Sequence, residues 1–179
     1  MSEKYFTGIG SRNTPPEICK AMTEIASILE DKGYTLRSGN ATGADIAFAR
    51  GVKEKAEIWL PWKGFNQDFI DEHPNHTYRI ISTHDGDAFR SVAQFHPDPK
   101  RLTEKGFLLM MRNHRQLFGE NDVKSKFIIC WTKDGRAAGG TGQNLRAGDY
   151  HDILILNMFN LSKEDVLRKV NFMEFFENE

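Results

Sequence analysis

The chain has 179 residues, enough for one well-cored domain and short for two. Its 24 lysines and arginines against 25 aspartates and glutamates leave a formal net charge of -1, so no global cationic field gathers nucleic acid or an anionic membrane. Apolar runs such as Phe127 to Trp131 fall far short of the ~20 residues that cross a bilayer, and the N-terminus carries no basic-then-apolar leader, so a cytoplasmic protein with no membrane association is expected.

The segment Tyr5 to Gly10 is aromatic and β-branched and runs into Gly8-Ile9-Gly10-Ser11. Thr14-Pro15-Pro16-Glu17 then supplies an N-cap, a first-turn proline and a capping-box glutamate. A helix follows, with Ile18, Met22, Ile25, Ala26 and Leu29 on one stripe and Gly33 where a left-handed C-cap is wanted. The pattern repeats with a strand at Tyr34 to Arg37, a turn at 38–43, a helix from about Ala44 to Arg50, and a strand at Glu57 to Trp62. From Lys63 to about Thr103 scattered Gly, Pro, Asn, His and Asp predict an irregular insertion, interrupted by a strand at Tyr78 to Ser82 and a short helix at Phe89 to Phe95. Phe107, Met110, Met111, His114 and Leu117 mark the next helix. Phe127 to Trp131 reads as a central strand covered on both faces. A glycine turn at 139–142 opens another helix, Ile153 to Leu156 is a further buried strand, and Ser162 with Glu164 and Asp165 starts a last helix. Alternating strands and helices, with no internal repeat or linker, predict a single α/β domain over 1–179 with a Rossmann-like, doubly wound, mostly parallel sheet.

Three glycine turns each follow a predicted strand and open a helix: Gly8-Ile9-Gly10-Ser11-Arg12, Ser38-Gly39-Asn40-Ala41-Thr42-Gly43 and Gly139-Gly140-Thr141-Gly142-Gln143. In a parallel sheet such turns share the carboxyl edge and converge on one site. Glycine admits close backbone approach, a helix N-terminus presents unpaired N–H groups and partial positive charge, and Ser11, Ser38 and Thr141 add hydroxyls. Phosphate is the ligand this suits. Arg12 and Arg37 flank the first two turns with the group best fitted to bidentate phosphate contact, although Arg37's strand position can turn it away. Asp45, near a helix start, either complements the helix dipole or hydrogen-bonds a ribose hydroxyl or base edge. Arg112 and Asn113 lie off the apolar face of their helix and read as solvent-facing on periodicity alone.

His73 and His76, and His84 with Asp85 and Asp87, hold ligand types close together, but at spacings that match no strong zinc signature, so no metal is expected. Cys19 and Cys130 read as small buried apolar residues. Trp59, Trp62 and Phe65 flank Pro61 and read as packing on the sheet edge, with stacking on a base as the alternative.

The three turns, in this order, resemble the SLOG superfamily, which includes the DNA-processing protein DprA and the Lonely Guy nucleotide hydrolases. The resemblance covers about Tyr5 to Met158 and is nearest to small stand-alone DprA-like proteins, many encoded by bacteriophages. It implies a Rossmann-like sheet whose glycine turns bind nucleotides, nucleotide derivatives or nucleic-acid phosphate, in proteins that commonly pair as homodimers. Ser38, Gly39, Gly43 and Asp45 match the Ser-Gly-Gly-x-x-Gly-x-Asp stretch of the DprA-like branch, with Asn40 in place of its second glycine. Arg112-Asn113 falls where DprA-like proteins carry an Arg-Asn pair, which implies a ligand role for both. Arg146 stands where the Lonely Guy hydrolases carry their catalytic glutamate, so their glycosidic chemistry is not carried over.

The expected ligand set is therefore Gly10, Ser11, Arg12, Ser38, Gly39, Asn40, Gly43, Asp45, Arg112, Asn113, Gly139, Gly140, Thr141, Gly142, Gln143 and Arg146, with no cofactor. The expected function is binding of a nucleotide or nucleotide-derived ligand, to sense or sequester it. The alternatives are a nucleotide hydrolase using Asp45 as acid or base, and DprA-like single-stranded DNA binding, which the near-neutral charge disfavours.

Overall fold

In the computed structural model, which describes residues 2–177, six strands form one wholly parallel sheet in the order β4-β3-β2-β1-β5-β6. They are β1 (Lys4–Gly8), β2 (Tyr34–Ser38), β3 (Ala56–Leu60), β4 (Thr77–Ile80), β5 (Phe127–Cys130) and β6 (Leu154–Asn157). The helices are α1 (Pro16–Asp31), α2 (Ala44–Arg50), α3 (Gln67–Glu72), α4 (Gly86–Phe95), α5 (Glu104–Phe118), α6 (Gly139–Tyr150) and α7 (Lys163–Glu177). The architecture is the expected Rossmann-like α/β fold.

The two-residue period of β5 divides the core. Phe127 and Ile129 point to the cluster that α1, α2 and α7 build with Phe6, Leu36 and Ile58, while Ile128 and Cys130 point to the cluster with Leu117 of α5 and Leu145 of α6. Stacked Phe6 and Phe127, with ring centroids 6.0 Å apart, join β1 to β5 across the first face. Because the chain steps from β1 to β2 in one direction and later adds β5 on the other side of β1, the strand order reverses between β1 and β5. A parallel sheet opens a crevice at its carboxyl edge at such a point.

Two local expectations change. Residues 63–103 are more ordered than expected: the expected strand and helix are present as β4 and α4, α3 is added to them, and β4 extends the sheet by one strand while α4 adds a helix to its second face. The elements are short, and apart from the apolar face of α4 they carry mostly exposed or half-buried residues, so polar side chains dominate the composition there. Thr14 does not cap α1. Pro15 takes the N-cap position with no side-chain bond, and the Thr14 hydroxyl instead donates to the Ser11 carbonyl at 2.6 Å, bracing the first glycine turn.

Candidate functional site

The turns after β1, β2 and β5 are packed into one another. The Ser11 N–H donates to the Trp131 carbonyl at 3.1 Å and the Ala44 N–H to the Ser11 carbonyl at 3.3 Å. Glycine makes these approaches fit. A Cβ on Gly10 would stand 2.8 Å from the Trp131 carbonyl oxygen, and one on Gly43, whose φ is +87°, would stand 2.6 Å from the Ser11 and Arg12 carbonyl oxygens.

Between β1 and β5 the edge opens into a cavity of about 470 Å³. The first turn contributes Gly10, Ser11 and Arg12, α2 contributes Asp45, α5 contributes Arg112 and Asn113, and the start of α6 contributes Gly139, Gly140 and Thr141. Ile9, Leu109 and Met110 supply an apolar wall. Lys133, Gln116 and Asn144, also in the lining, carry no glycine or family signature and were not among the expected ligands. No sequence signal marks Gln116 and Asn144, which meet only in the folded chain: the Asn144 amide donates to Gln116 Oε1 at 2.6 Å across the α5–α6 contact.

The electrostatics favour an anion. The first N–H of α6 to bond back is that of Gly142, to the Ala138 carbonyl at 3.0 Å. The N–H groups of Gly139, Gly140 and Thr141 therefore have no intrahelical acceptor and stand at the positive end of a twelve-residue helix. Nothing lies within 4 Å of where a Gly139 Cβ would be. The exposed side chains of Arg12 and Lys133 make no hydrogen bond or ion pair with any described residue.

Asp45 and Arg112 form the buried back of the site. Burial pushes the Asp45 carboxyl up to about 6, against the opposing pull of Arg112, the Ala41 N–H, Arg12 and the Gly39 N–H. Burial likewise brings Arg112 down to about 10, against the pull of Asp45. Arg112 Nη1 donates to the carbonyls of Gly39 and, at 3.3 Å, of Trp59. Asn113, expected from periodicity to face solvent, is buried and donates to the Gly140 carbonyl at 3.1 Å, aligning the start of α6.

Other members of the expected set do not line this cavity. Ser38 is wholly buried and donates to the Gly8 carbonyl at 2.6 Å. Gly39 seats α5: a Cβ there would stand 2.1 Å from Arg112 Nη1 and Gln116 Nε2. Asn40, at φ +62°, ties the second turn to the segment after β3, its amide donating to the Phe65 carbonyl at 2.9 Å. Gly43 packs against the first turn as described, and Gly142 against the Ala137 carbonyl. Gln143 donates to the Met110 carbonyl at 2.8 Å. Arg146 lies on the far side of α6, where Nε donates to the Phe95 carbonyl at 2.6 Å and Nη1 to the Ala137 carbonyl at 3.0 Å.

Arg37 also points away from the crevice. Fully buried, it bonds the carbonyls of Leu117 and Val123 and the Asn121 side chain, pairs with Glu57 at 3.4 Å and lies 3.6 Å from the Tyr5 ring centroid. It clamps the α5–β5 connection to the sheet. The histidines and acids of the middle region are used locally: His76 Nε2 meets the Val52 carbonyl at 3.0 Å, and Asp85 caps α4 and pairs with Arg115 at 2.6 Å. Among the described residues no group of three His, Cys, Asp or Glu side chains is placed to hold a metal, and no helix is long and apolar enough to cross a membrane.

The sequence matches no protein-family model and no curated relative. The fold is similar to the solved structure of DNA processing protein A from Helicobacter pylori, described for its single-stranded DNA binding mode, with a TM-score of 0.64 at 18% identity over 98% of this chain and 80% of that one. The chain has a DprA-like Rossmann fold.

Proposed function

We propose that the crevice between β1 and β5 binds a nucleotide unit of single-stranded DNA, with a phosphate seated against the start of α6 and held by Arg12 and Lys133. The observation that carries this reading is the convergence of two unpaired cations and the free N–H groups of Gly139, Gly140 and Thr141 on one cavity. Phosphate is the anion that uses several N–H donors and a guanidinium together. The likeness to a single-stranded DNA binder over nearly the whole chain favours a polymer as the bearer of that phosphate. The net charge of -1 is compatible with this, because the cations that matter are gathered at one edge.

A second reading, a free nucleotide or nucleotide-derived signal, is favoured by the cavity itself. Its volume of about 470 Å³ is in the range of small-molecule sites, and Ile9, Leu109 and Met110 offer an apolar wall for a base. Glycosidic hydrolysis has less support, because Arg146 occupies the family's glutamate position and faces away from the cavity.

Fluorescence anisotropy of a labelled oligothymidylate, titrated at several salt concentrations, tests the proposal. Each phosphate of a single strand that the protein neutralises contributes about -0.7 to the log–log salt slope, so the crevice phosphate alone gives at least that slope. Calorimetry with nucleoside monophosphates separates the readings: a monophosphate that binds more tightly than the oligomer identifies the second. A panel in which neither ligand binds removes both.

A further inference from the structure

We propose that the segment after β3 forms, with the start of α5, a stacking platform for a second base of the same strand, beside the crevice. The inference rests on the reading of the crevice as a nucleotide site and extends it to the path of the chain. The aromatics begin where the cavity wall ends. The Arg112 guanidinium lies 5.6 Å from the Phe65 ring centroid, Phe65 meets Trp62 edge to face at 5.3 Å, and Lys105 Nζ lies 5.4 Å from the Trp62 centroid. Trp62 and Phe65 are half-buried, and Lys63 and Lys105 are exposed.

Three features fit a nucleotide. Aromatic faces interleaved with cations are what an extended strand needs, since every base presents a π-face and every linkage a charge. The contact between Lys105 and the indole is an exposed cation–π contact and therefore weak. An incoming base can displace the ammonium, which then meets the adjoining phosphate. The segment is also held in register with the crevice. Asn40 donates to the Phe65 carbonyl at 2.9 Å and to that of Asn66 at 3.3 Å, while the Asn66 amide donates back to the Asn40 carbonyl at 3.1 Å. This reciprocal clasp fixes the aromatic pair to the turn after β2, whose Gly39 carries Arg112. Asp68 and Glu104, exposed and near in sequence, are the acids closest along the chain to this cluster, beside the exposed cations Lys63 and Lys105, while the buried Arg112 is offset by Asp45.

The test compares a labelled oligothymidylate of about twelve residues with thymidine 5′-monophosphate. Trp62→Ala is expected to weaken the oligomer roughly tenfold, the order of one lost base stack, and to leave the monophosphate unchanged. Trp62→Phe should retain most of the affinity and abolish the part of the intrinsic fluorescence quenching that comes from Trp62. Lys105→Glu, on an exposed side chain, should weaken the oligomer and flatten its log–log salt slope by about 0.7; it carries the test should Trp62→Ala melt early. Wild-type oligomer affinity in both Trp62→Ala and Lys105→Glu, with Arg12→Ala weakening both ligands, overturns the platform and leaves the crevice standing. Failure of wild-type protein to bind either ligand removes the crevice reading and the platform with it.

Discussion

Asp45 and Arg112 are joined through one glycine. The Gly39 carbonyl accepts from Arg112 Nη1, and the Gly39 N–H, together with that of Ala41, is turned toward the Asp45 carboxylate. The two charges thus share a backbone hinge at the rear of the crevice. A cation and an anion arranged this way cancel little of the field from Arg12 and Lys133 at the mouth, where the phosphate is proposed to sit.

Arg12→Ala is expected to weaken phosphodiester binding by about 1.5–3 kcal/mol, the range of a hydrogen bond to a charged group. Because the Arg12 side chain makes no hydrogen bond or ion pair among the described residues and acts on Asp45 only at longer range, the melting temperature should stay near the wild-type value. Calorimetry paired with a thermal melt checks both halves. A fall in stability at unchanged affinity would make Arg12 a structural residue.

The raised pKa of Asp45 gives stability a definite pH dependence. A carboxyl that titrates at about 6 when folded and at about 4 when unfolded binds its proton more tightly in the native state. Its contribution is present below about pH 4 and is lost as pH rises through 6. Asp45→Asn should therefore lose less stability than wild type across that window in denaturant titrations. Protonation also removes a negative charge from the cavity, so affinity for a phosphodiester, whose own charge is constant there, should rise between pH 7.5 and 5.5 in wild type and stay level in Asp45→Asn.

Gly43→Ala is expected to destabilise the fold by about 1–3 kcal/mol, through a positive φ and a contact with two carbonyl oxygens. Gly139→Ala, also at positive φ but with open space around the Cβ, should cost less. Chemical denaturation of the two variants measures the difference. Equal losses would mean that backbone conformation alone, and not turn packing, sets the cost.

Arg37→Met should be among the most damaging single substitutions, at about 3–5 kcal/mol, because it leaves Glu57 and the Leu117 and Val123 carbonyls facing an uncharged, non-donating side chain. Affinity per folded molecule should be unchanged. Equilibrium unfolding and anisotropy on the same preparation test the pair of statements.

Periodicity made the frame legible. The stripe of Ile25, Ala26 and Leu29 and the run Phe127 to Cys130 have burial patterns that follow directly from helical and strand spacing. The middle region was harder because α3 and β4 are too short for a period to emerge above their polar residues. In the site, Arg12, Arg112 and the α6 turn could be read from the chain, but the direction of each side chain could not. Ser38 and Arg37 are adjacent to a glycine turn in sequence yet spend their polar groups on the Gly8 carbonyl and the α5–β5 connection. Lys133, Gln116 and Asn144 reach the cavity through tertiary contacts that no local spacing announces.

The close fit of the turns around Gly10, Gly39 and Gly43 has a consequence for how such chains diverge. Each of these glycines is demanded by a neighbouring piece of protein: the Trp131 carbonyl, Arg112 and Gln116, or the carbonyls of Ser11 and Arg12. The signature they form is thus a signature of assembly. Selection can exchange the exposed side chains at the mouth, Arg12 and Lys133 among them, while every glycine stays in place. Proteins sharing the pattern can therefore part company in what they bind long before they part company in shape.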